Sequence, residues 1–388
     1  MKILIVSTHP THPGIEGNRR FIYNQVELFK RLGHEVYFLL ILISQDRKLS
    51  QNTHEMINQM NDYWGNHLFL YKKGWLFSKK IGLIIRLRKL FNSGYYKCDD
   101  FYPNGLETFV SRLNKKYCFE CCIVNYYTYS KLLELSDFTL KALTTHDLFS
   151  YKNILTGDKY TWLGTTADQE AKAMQRSPHI FALNSTEGIY FSKLSPKSIV
   201  YDIYSIYEYK STPIVGNKNI LFLSGSNIYN RNGLSWFLND IFPAITERFP
   251  EAKLIIGGGI CQYLNHLHNN DRIEIQGFVN DPERFYGQGD IVINPTYQGT
   301  GLKIKTFEAI SYDKIVLAHP HSAEGIYDPT QAPIFTSTDV EAWASYLNEL
   351  WNDNKKIPAL KNANMLYMEN MCSYVEKEYK RFFSHLHK

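Results

Sequence analysis

Two series of short apolar runs, each alternating with longer amphipathic stretches, constrain the fold of this chain most strongly. The first series starts with an apolar run at residues 3–6, followed by a loop, a helical stretch at 21–32 and a second run at 35–40. A strand, a helix and a strand in this order favour a parallel sheet, because parallel neighbours need a long crossover connection. Further apolar runs lie at residues 119–125, 140–145 and 180–184.

The alternation stops at residues 205–218, where Ser, Pro and Gly indicate a linker, and then restarts with a strand predicted at 220–223. A chain of 388 residues is also long for a single hydrophobic core. We therefore expect an α/β protein with two Rossmann-like, doubly wound domains, residues 1–208 and 209–364. The default ligand site of such a pair is a central cleft at the carboxyl ends of the strands.

Composition excludes several classes of protein. The 43 basic and 38 acidic residues leave a net charge of +5, too small a surplus to indicate a nucleic-acid binder. The six cysteines lack the spacing of a secreted scaffold, and the Cys118-x-x-Cys121-Cys122 group lies in an apolar run typical of a buried strand. No signal peptide and no apolar stretch of about 18 residues is present. A reduced, cytoplasmic protein is the expectation.

A glycine-containing turn between a predicted strand and a predicted helix carries the strongest chemical signal. The turn holds Gly299 and Gly301, and the helix begins near Leu302. Such a turn brings backbone N–H groups and the positive end of a helix dipole to one place, which suits an anion.

The charged residues of this helix fit a nucleoside diphosphate. Lys303 and Lys305 could neutralise phosphate, and Glu308, one turn into the helix, could accept hydrogen bonds from a ribose diol. The alternative is an ordinary helix start with solvated lysines and a glutamate that serves packing.

The Gly-x-Gly-x-x-x-Lys-x-x-Glu-Ala pattern of residues 299–309 resembles the donor-nucleotide motif of GT-B glycosyltransferases, specifically glycosyltransferase family four. Residues 225–258 are similar to the first βαβ unit of that family's donor domain. The resemblance implies a nucleotide diphosphate sugar as donor, no cofactor, and a terminal helix, residues 365–388, that packs back toward the N-terminal domain. It implies donor-binding roles for Gly225, Ser226, Arg231, Gly258, Gly299, Thr300, Gly301, Leu302, Lys303, Lys305 and Glu308.

The N-terminal half resembles the same family more loosely, through a glycine-rich loop after the first strand. Its glycines would let the backbone approach a diphosphate or an acceptor, and its arginines would contact phosphate. A loop used only for turning is the alternative. The residues concerned are Gly14, Gly17, Arg19 and Arg20.

His146 and Asp147 follow a predicted strand and match the family segment that leads toward the cleft. As candidate catalytic residues they would orient a sugar hydroxyl or the acceptor nucleophile. A structural role for the histidine is the alternative.

The chain departs from the family pattern at two places. Thr300 stands eight residues before Glu308, where the pattern has the first of two glutamates. The usual lysine of the first donor-domain loop is also missing, and either Arg231 or the Asn230/Asn232 pair lies nearby. Neutralising the phosphate charge would therefore fall mainly to Lys303, Lys305 and Arg231.

His319, His321 and Glu324 match no zinc spacing, so no metal site is expected.

Residues 71–91 carry seven Lys or Arg and no acidic residue, so this segment alone exceeds the net charge of the whole chain. Aromatic residues beside clustered cations are typical of an element that lies on an anionic membrane. An ordinary helix with a basic outer face is the alternative. The candidate membrane residues are Lys72, Lys73, Trp75, Lys79, Lys80, Arg86, Arg88 and Lys89.

These features together predict a GT-B glycosyltransferase that moves a sugar from a nucleotide diphosphate sugar to a saccharide acceptor. The resemblance favours a lipid-linked acceptor, surface polysaccharide or glycan assembly, retention of configuration, and a peripheral position on the inner face of the plasma membrane. No nucleic-acid partner is expected. A nucleotide-sugar 2-epimerase of the same architecture is one alternative, and a catalytically silent GT-B partner subunit, suggested by the missing first glutamate, is another.

Overall fold

The computed structural model describes residues 1–13, 17–42, 51–72, 75–91, 95–156, 163–264, 270–301 and 304–387. The chain divides into two compact units. Unit 1 comprises Met1–Ile206, Thr300–Leu302 and Tyr374–Lys388, and unit 2 comprises Tyr207–Gly299 and Lys303–Ser373.

Unit 1 is an α/β layer structure with seven strands. The strands are β1 (Lys2–Ser7), β2 (Glu35–Leu42), β3 (Leu68–Lys72), β4 (Cys121–Asn125), β5 (Leu140–Thr144), β6 (His179–Ala182) and β7 (Ile199–Asp202). The helices are α1 (Gly17–Arg31), α2 (Gln51–Trp64), α3 (Trp75–Leu90), α4 (Leu106–Tyr117), α5 (Lys131–Leu135), α6 (Phe149–Thr156), α7 (Ala167–Met174) and α8 (Ser185–Leu194).

Unit 2 repeats the architecture with six strands. The strands are β8 (Asn219–Leu223), β9 (Lys253–Gly257), β10 (Ile273–Gly277), β11 (Ile291–Asn294), β12 (Ile315–Ala318) and β13 (Ile334–Thr336). The helices are α9 (Ile228–Trp236), α10 (Phe242–Arg248), α11 (Pro282–Tyr286), α12 (Ile304–Ser311), α13 (Val340–Asn352) and α14 (Lys356–Phe383), which also contributes its last residues to unit 1.

Both sheets are parallel and each reverses its strand order once. The order in unit 1 is β3-β2-β1-β4-β5-β6-β7, and the order in unit 2 is β10-β9-β8-β11-β12-β13. The reversals lie between β1 and β4 and between β8 and β11. Loops that leave neighbouring strands diverge there, which opens a crevice at the carboxyl ends of the strands. The predicted pair of doubly wound sheets is confirmed.

The core of unit 1 is completed by the end of α14. Tyr379 is buried, packs edge-on against Phe29 and Phe181, and its hydroxyl accepts a 2.8 Å hydrogen bond from Gln25. Phe382 packs on Phe181 with ring centroids 4.9 Å apart. Residues that lie far apart along the chain therefore share one aromatic cluster.

Several elements differ from the sequence-based expectation. The short strands β3, β7 and β13 lie at sheet edges and have half-exposed side chains, so they lack a continuous buried apolar run. The sequence pattern of residues 233–249 predicts one helix, but the helical segment begins at Ile228, passes through a π turn at Phe237–Ile241 and continues as α10. Pro243, in the first turn of α10, cannot donate a backbone hydrogen bond, which suits a change of helix type there.

The cysteine pair of β4 fills the core. Cys121 and Cys122 are fully buried, and burial raises the pKa of both thiols, which makes them poor nucleophiles.

A buried network of charges fixes the start of unit 2. The Lys361 ammonium lies 3.3 Å from Asp313 and 3.7 Å from Asp290, and it donates to the Thr212 carbonyl at 2.8 Å. Asp290 in turn accepts hydrogen bonds from the backbone of residues 215 and 216. Lys314 is fully buried beside them, and burial lowers its pKa to about 8, with a smaller effect of Lys361. Residues 212–216 are thereby tied to the sheet.

Replacing Lys361 with Met should therefore leave two buried carboxylates with too little positive charge. We expect the free energy of unfolding to fall by about 3–5 kcal/mol, measured by urea denaturation. Lys355→Met, an exposed lysine nearby, serves as control and should change stability by less than about 0.5 kcal/mol. Equal small effects of both substitutions would contradict a stabilising role for this network.

Candidate functional site

In unit 2 a lysine lies at the reversal between β8 and β11, where the crevice was expected. The Nζ atom of Lys305 donates to Asn230 Oδ1 at 2.7 Å and to Ser224 Oγ at 3.2 Å, and it lies 3.5 Å from Thr296 Oγ1. Ser224 follows β8 directly, and Thr296 follows β11 by two residues. Three neutral oxygen atoms from three segments thus hold one ammonium group.

The start of α9 orients Asn230 for this contact. Asn227 caps the helix, and its side chain accepts a hydrogen bond from the Asn230 amide at 2.9 Å. The Asn230 side-chain nitrogen donates to the Gly225 carbonyl at 3.1 Å, which directs Oδ1 toward Lys305. Gly233 permits close packing, since a Cβ there would lie 2.8 Å from the Pro295 carbonyl oxygen.

Two of the predicted glycines are required by the backbone geometry. Gly258 has φ +92°, and a Cβ on it would lie 2.4 Å from the Ser224 carbonyl oxygen. Gly299 has φ +107°, and its Cβ would lie 3.3 Å from the ring of Tyr229. Any side chain at position 258 would displace the segment that carries Ser224.

The structure also describes Glu308, Thr300 and Gly301 of the predicted donor motif. Glu308 is half-buried beside Tyr286, and burial together with Glu308 raises the pKa of that phenol well above its usual value. Gly301 also has a positive φ, and Thr300 and Gly301 are grouped with unit 1. Leu302 and Lys303 lie outside the described residues.

The histidines of the loop after β12 pair within unit 2. His321 Nε2 lies 2.9 Å from the Gly299 carbonyl oxygen, and Nδ1 lies 2.9 Å from Glu324. This histidine therefore supports the glycine turn. Among the described residues, no group of three or more His, Cys, Asp or Glu side chains is placed to hold a metal ion.

Arg231 is not brought to Lys305, although the sequence predicted a shared role in phosphate binding. Its guanidinium stacks over the ring of Tyr263 at 4.4 Å. It lines a cavity of about 710 Å³ together with Arg272 and residues of α10. Adjacent positions on α9 face different surroundings, and of the two alternatives it is Asn230 that contacts Lys305.

In unit 1 three aromatic rings stack at the ends of β1, β4 and β5, which are neighbours in the sheet. The ring of Tyr126 lies between His9, at 4.7 Å, and His146, at 4.3 Å. Asn18 at the start of α1 donates to the Tyr126 hydroxyl at 2.9 Å. The loop after β1 and the first turn of α1 therefore meet the predicted His146 region at the reversal of this sheet.

His146 is held as a neutral imidazole. Burial, and to a smaller degree His9, lowers its pKa to about 3. Its Nε2 lies 2.7 Å from Asn125 Oδ1, and since the Asn125 amide nitrogen donates to the Val6 carbonyl, Nε2 is the donor. Nδ1 is then an acceptor, and within the described part of the chain this buried atom has no hydrogen-bond partner.

Asp147 is paired inside unit 1. One carboxylate oxygen accepts a bond from the Lys152 ammonium at 2.5 Å, and the other accepts from the Leu148 amide at 2.9 Å. His146 itself has φ +68°, an uncommon backbone conformation for a residue with a side chain. We refer to His146 and Asp147 together as the His146–Asp147 corner.

The glycine-rich loop is only partly described. Gly17 is the first residue of α1, and Arg19 is half-buried near His9, whose pKa falls to about 4 mainly through burial and partly through Arg19. Arg20 is exposed beside the ring of Tyr23. Gly14 lies outside the described residues.

The candidate membrane residues separate into two groups. Lys72, Lys79, Lys80, Arg86 and Lys89 are exposed. Arg88, which the sequence placed on the membrane surface, is instead buried, and its guanidinium stacks 3.3 Å above the ring of Tyr96. That prediction was wrong because Arg88 lies on the side of α3 opposite Leu83 and Leu90. Lys73 and the Trp75 side chain lie outside the described residues.

Sequence reasoning missed His9, Asn125 and Tyr126. Asn125 is the last residue of β4, Tyr126 follows it directly, and His9 lies two residues after β1. A polar or aromatic residue at the end of an apolar run is a signal that the sequence contains. Recognising it required the strand order, because only the adjacency of β1 and β4 brings these loops together.

The contact between Gly258 and Ser224 leads to a direct test. Gly258→Ala adds both a strained φ and a clash with backbone, whereas Gly216→Ala adds a strained φ of +71° with no atom within 4 Å. We expect Gly216→Ala to cost about 1–2 kcal/mol and Gly258→Ala about 1–3 kcal/mol more, measured by urea unfolding. Indistinguishable costs would show that the 258 position has room for a side chain.

Comparison with known proteins identifies unit 2. Residues 217–353 match the family described as glycosyl transferases group 1. A relative from Klebsiella pneumoniae, named "Uncharacterized 44.6 kDa protein in cps region", is 24% identical over 424 residues and spans 100% of this chain and 99% of its own.

Solved structures match along nearly the whole chain. The crystal structure of TarM has a TM-score of 0.68 at 10% identity and covers 100% of this chain and 99% of its own. The pneumococcal O-GlcNAc transferase GtfA, in complex with UDP and GlcNAc, has a TM-score of 0.66 at 11% identity, covering 100% and 99%. Anabaena Alr3699/HepE, in complex with UDP and glucose, has a TM-score of 0.64 at 14% identity, covering 99% and 100%.

These matches agree with the geometry of the two sheets and with the resemblance expected from the sequence. Residues 217–353 thus resemble the group 1 glycosyl transferases, and the chain has the GT-B fold.

Proposed function

We propose that this glycosyltransferase moves a sugar from a nucleotide diphosphate sugar to a saccharide acceptor that is carried on a lipid. Surface polysaccharide or glycan assembly is the process we assign, supported by the relative from the cps region. The position of Lys305 at the reversal of the unit 2 sheet carries the proposal. UDP is the first nucleotide to test, because the structures of GtfA and HepE contain it.

Lys305 suits a diphosphate because its ammonium is held by the neutral oxygens of Asn230, Ser224 and Thr296. These contacts fix the position of the ammonium group at the ends of β8 and β11. As the bond between sugar and diphosphate breaks, negative charge grows on the leaving group. A cation fixed in advance stabilises that charge without reorganising first. The positive end of the α12 dipole adds to the same field.

Unit 1 would provide the groups that orient the transferred sugar or the acceptor. His146 is neutral, and its buried Nδ1, an acceptor without a hydrogen-bond partner among the described residues, is the atom that we assign to a sugar hydroxyl. Tyr126 and His9 fix the plane of that ring by stacking. We assign retention of the anomeric configuration, which proton NMR of the product tests directly.

Lys305→Met should weaken binding of UDP and UDP-sugars because it removes a charge-assisted hydrogen bond. We expect a rise in Kd of about 10–100-fold by calorimetry, equivalent to about 1.5–3 kcal/mol. Lys253→Met, an exposed lysine at the start of β9, is the matched control and should leave Kd unchanged. An unchanged Kd in both variants would reject the donor site. Conversion of the donor into its 2-epimer without any acceptor would favour the epimerase alternative.

The exposed face of α3 supports a peripheral position on an anionic membrane. Leu83, Leu87 and Leu90 recur at spacings of four and three, so they share one helix face, and their side chains are 57%, 41% and 76% exposed. Exposed cations flank this stripe, among them Lys79 and Arg86. Apolar side chains beside cations fit the interface of an anionic bilayer. Among the described residues, no helix has the length and hydropathy of a membrane span.

Charge reversal on this face should release the protein from anionic vesicles. The triple variant Lys79→Glu, Lys80→Glu and Arg86→Glu should lose sedimentation with phosphatidylglycerol vesicles at low salt, since each cation contributes about 1 kcal/mol. The control reverses three exposed cations of α4, Arg112, Lys115 and Lys116, and should sediment like the wild type. Equal sedimentation of wild type and the α3 variant would reject the membrane surface.

A further inference from the structure

A buried carboxylate in unit 1 has contacts that the donor and acceptor sites do not explain. Glu170 lies in α7 and is fully buried. One oxygen accepts the backbone N–H of Phe149 at 3.0 Å, and the other accepts the N–H of Ser150 at 3.2 Å and the Ser150 hydroxyl at 2.5 Å. Both carboxylate oxygens are therefore used on one short segment.

That segment is the first turn of α6, which begins two residues after Asp147. The first backbone N–H groups of a helix have no partner within the helix and need an acceptor from elsewhere. Glu170 supplies it from another helix, and its negative charge lies at the positive end of the α6 dipole. The first turn of α6 is consequently fixed to α7, and the His146–Asp147 corner is fixed at its downstream end.

We propose that ionised Glu170 is a positioning residue that holds the His146–Asp147 corner in the geometry needed for sugar transfer. When the carboxylate gains a proton, its negative charge is lost and one oxygen becomes a donor and a weaker acceptor for the backbone N–H, so the first turn of α6 loosens. The rate measurements that test this proposal rest on the proposed function. Amide hydrogen exchange tests it independently of that function.

The surroundings of Glu170 place the protonation of its carboxylate near neutral pH. The pKa of Glu170 is raised to about 7, chiefly by burial and to a small degree by Asp147, while its three hydrogen bonds act in the opposite direction. Asp147 is itself paired with Lys152. The other groups that face Glu170, within the described ranges, are Ser150 and the phenols of Tyr190 and Tyr127.

The neighbouring phenols and imidazoles do not titrate in the same pH range as Glu170. The pKa values of Tyr190 and Tyr127 are raised from an already high value, and burial lowers those of His146 and His9 to about 3 and about 4. A change of rate between pH 6 and 8 that arises from the His146–Asp147 corner is therefore assigned to the titration of Glu170.

Two variants test the proposal through pH–rate profiles. The wild-type kcat should rise with pH through about 7, whereas Glu170→Gln, which has no charge to gain, should be flat over this range and about tenfold slower at pH 8. Ser150→Ala removes a hydrogen bond that favours the charged form, so its profile should shift to higher pH. Asp168→Asn, an exposed carboxylate on the same helix, is the control and should keep the wild-type profile.

Thermal stability should move in the opposite direction from activity. A carboxyl group whose pKa is raised by folding, here from 4.5 to about 7, makes the folded state less stable as pH rises through that range. The melting temperature of Glu170→Gln relative to wild type should therefore increase from pH 5 to pH 8. A constant difference would overturn the assignment of the titration to Glu170.

Hydrogen exchange of the Phe149 and Ser150 amides separates this proposal from the proposed function. Protection of both amides should fall in Glu170→Gln, and in the wild type below pH 7 after correction for intrinsic exchange rates. If protection falls as expected but the wild type turns over no nucleotide sugar, the proposed function fails, whereas the role of Glu170 in fixing the first turn of α6 is supported. If Glu170→Gln keeps the wild-type rate, profile and protection, the positioning role is rejected.

Discussion

A parallel strand must be covered on both faces, and this requirement organises both units of the chain. Every strand in the two sheets pairs in parallel with its neighbours, so the crossovers between strands run through helices that cover the sheet. At the carboxyl ends of the strands, the loops are not covered by these helices and stay open to a ligand. Each sheet reverses its order once, and the side chains with chemical character gather at those reversals: Lys305 with its three oxygens in unit 2, and the His9–Tyr126–His146 stack in unit 1.

Much of this could be predicted from residues that act locally. The apolar runs of β1, β2, β8 and β11 indicate the sheets, and the glycines at 258, 299 and 301 indicate backbone conformations that side chains disfavour. Partners that meet only in three dimensions could not be predicted in the same way. Asn230 and Arg231 are adjacent in sequence, yet one holds Lys305 and the other stacks on Tyr263. The helical periodicity of α3 likewise does not show which side faces the protein, and for that reason Arg88 was misplaced.

The two units use buried charge differently. In unit 2 two lysines and two aspartates lie together, so the charges offset one another and tie the segment around Thr212 to the sheet. In unit 1 Glu170 is compensated by backbone N–H groups and a hydroxyl, and its pKa is raised as a result of burial. The ion network therefore loses charge near pH 8, through Lys314, whereas the carboxylate held by neutral donors gains or loses its charge near pH 7.

The aromatic cluster at the end of α14 has a consequence for how the chain folds during synthesis. Phe29 and Phe181 belong to the part of the chain that leaves the ribosome first, but the rings that cover them, those of Tyr379 and Phe382, are added some two hundred residues later. The strands of unit 1 can pair before then, while part of their apolar surface stays open to solvent and to chaperones. The unit that begins to fold first is thus the unit that finishes last.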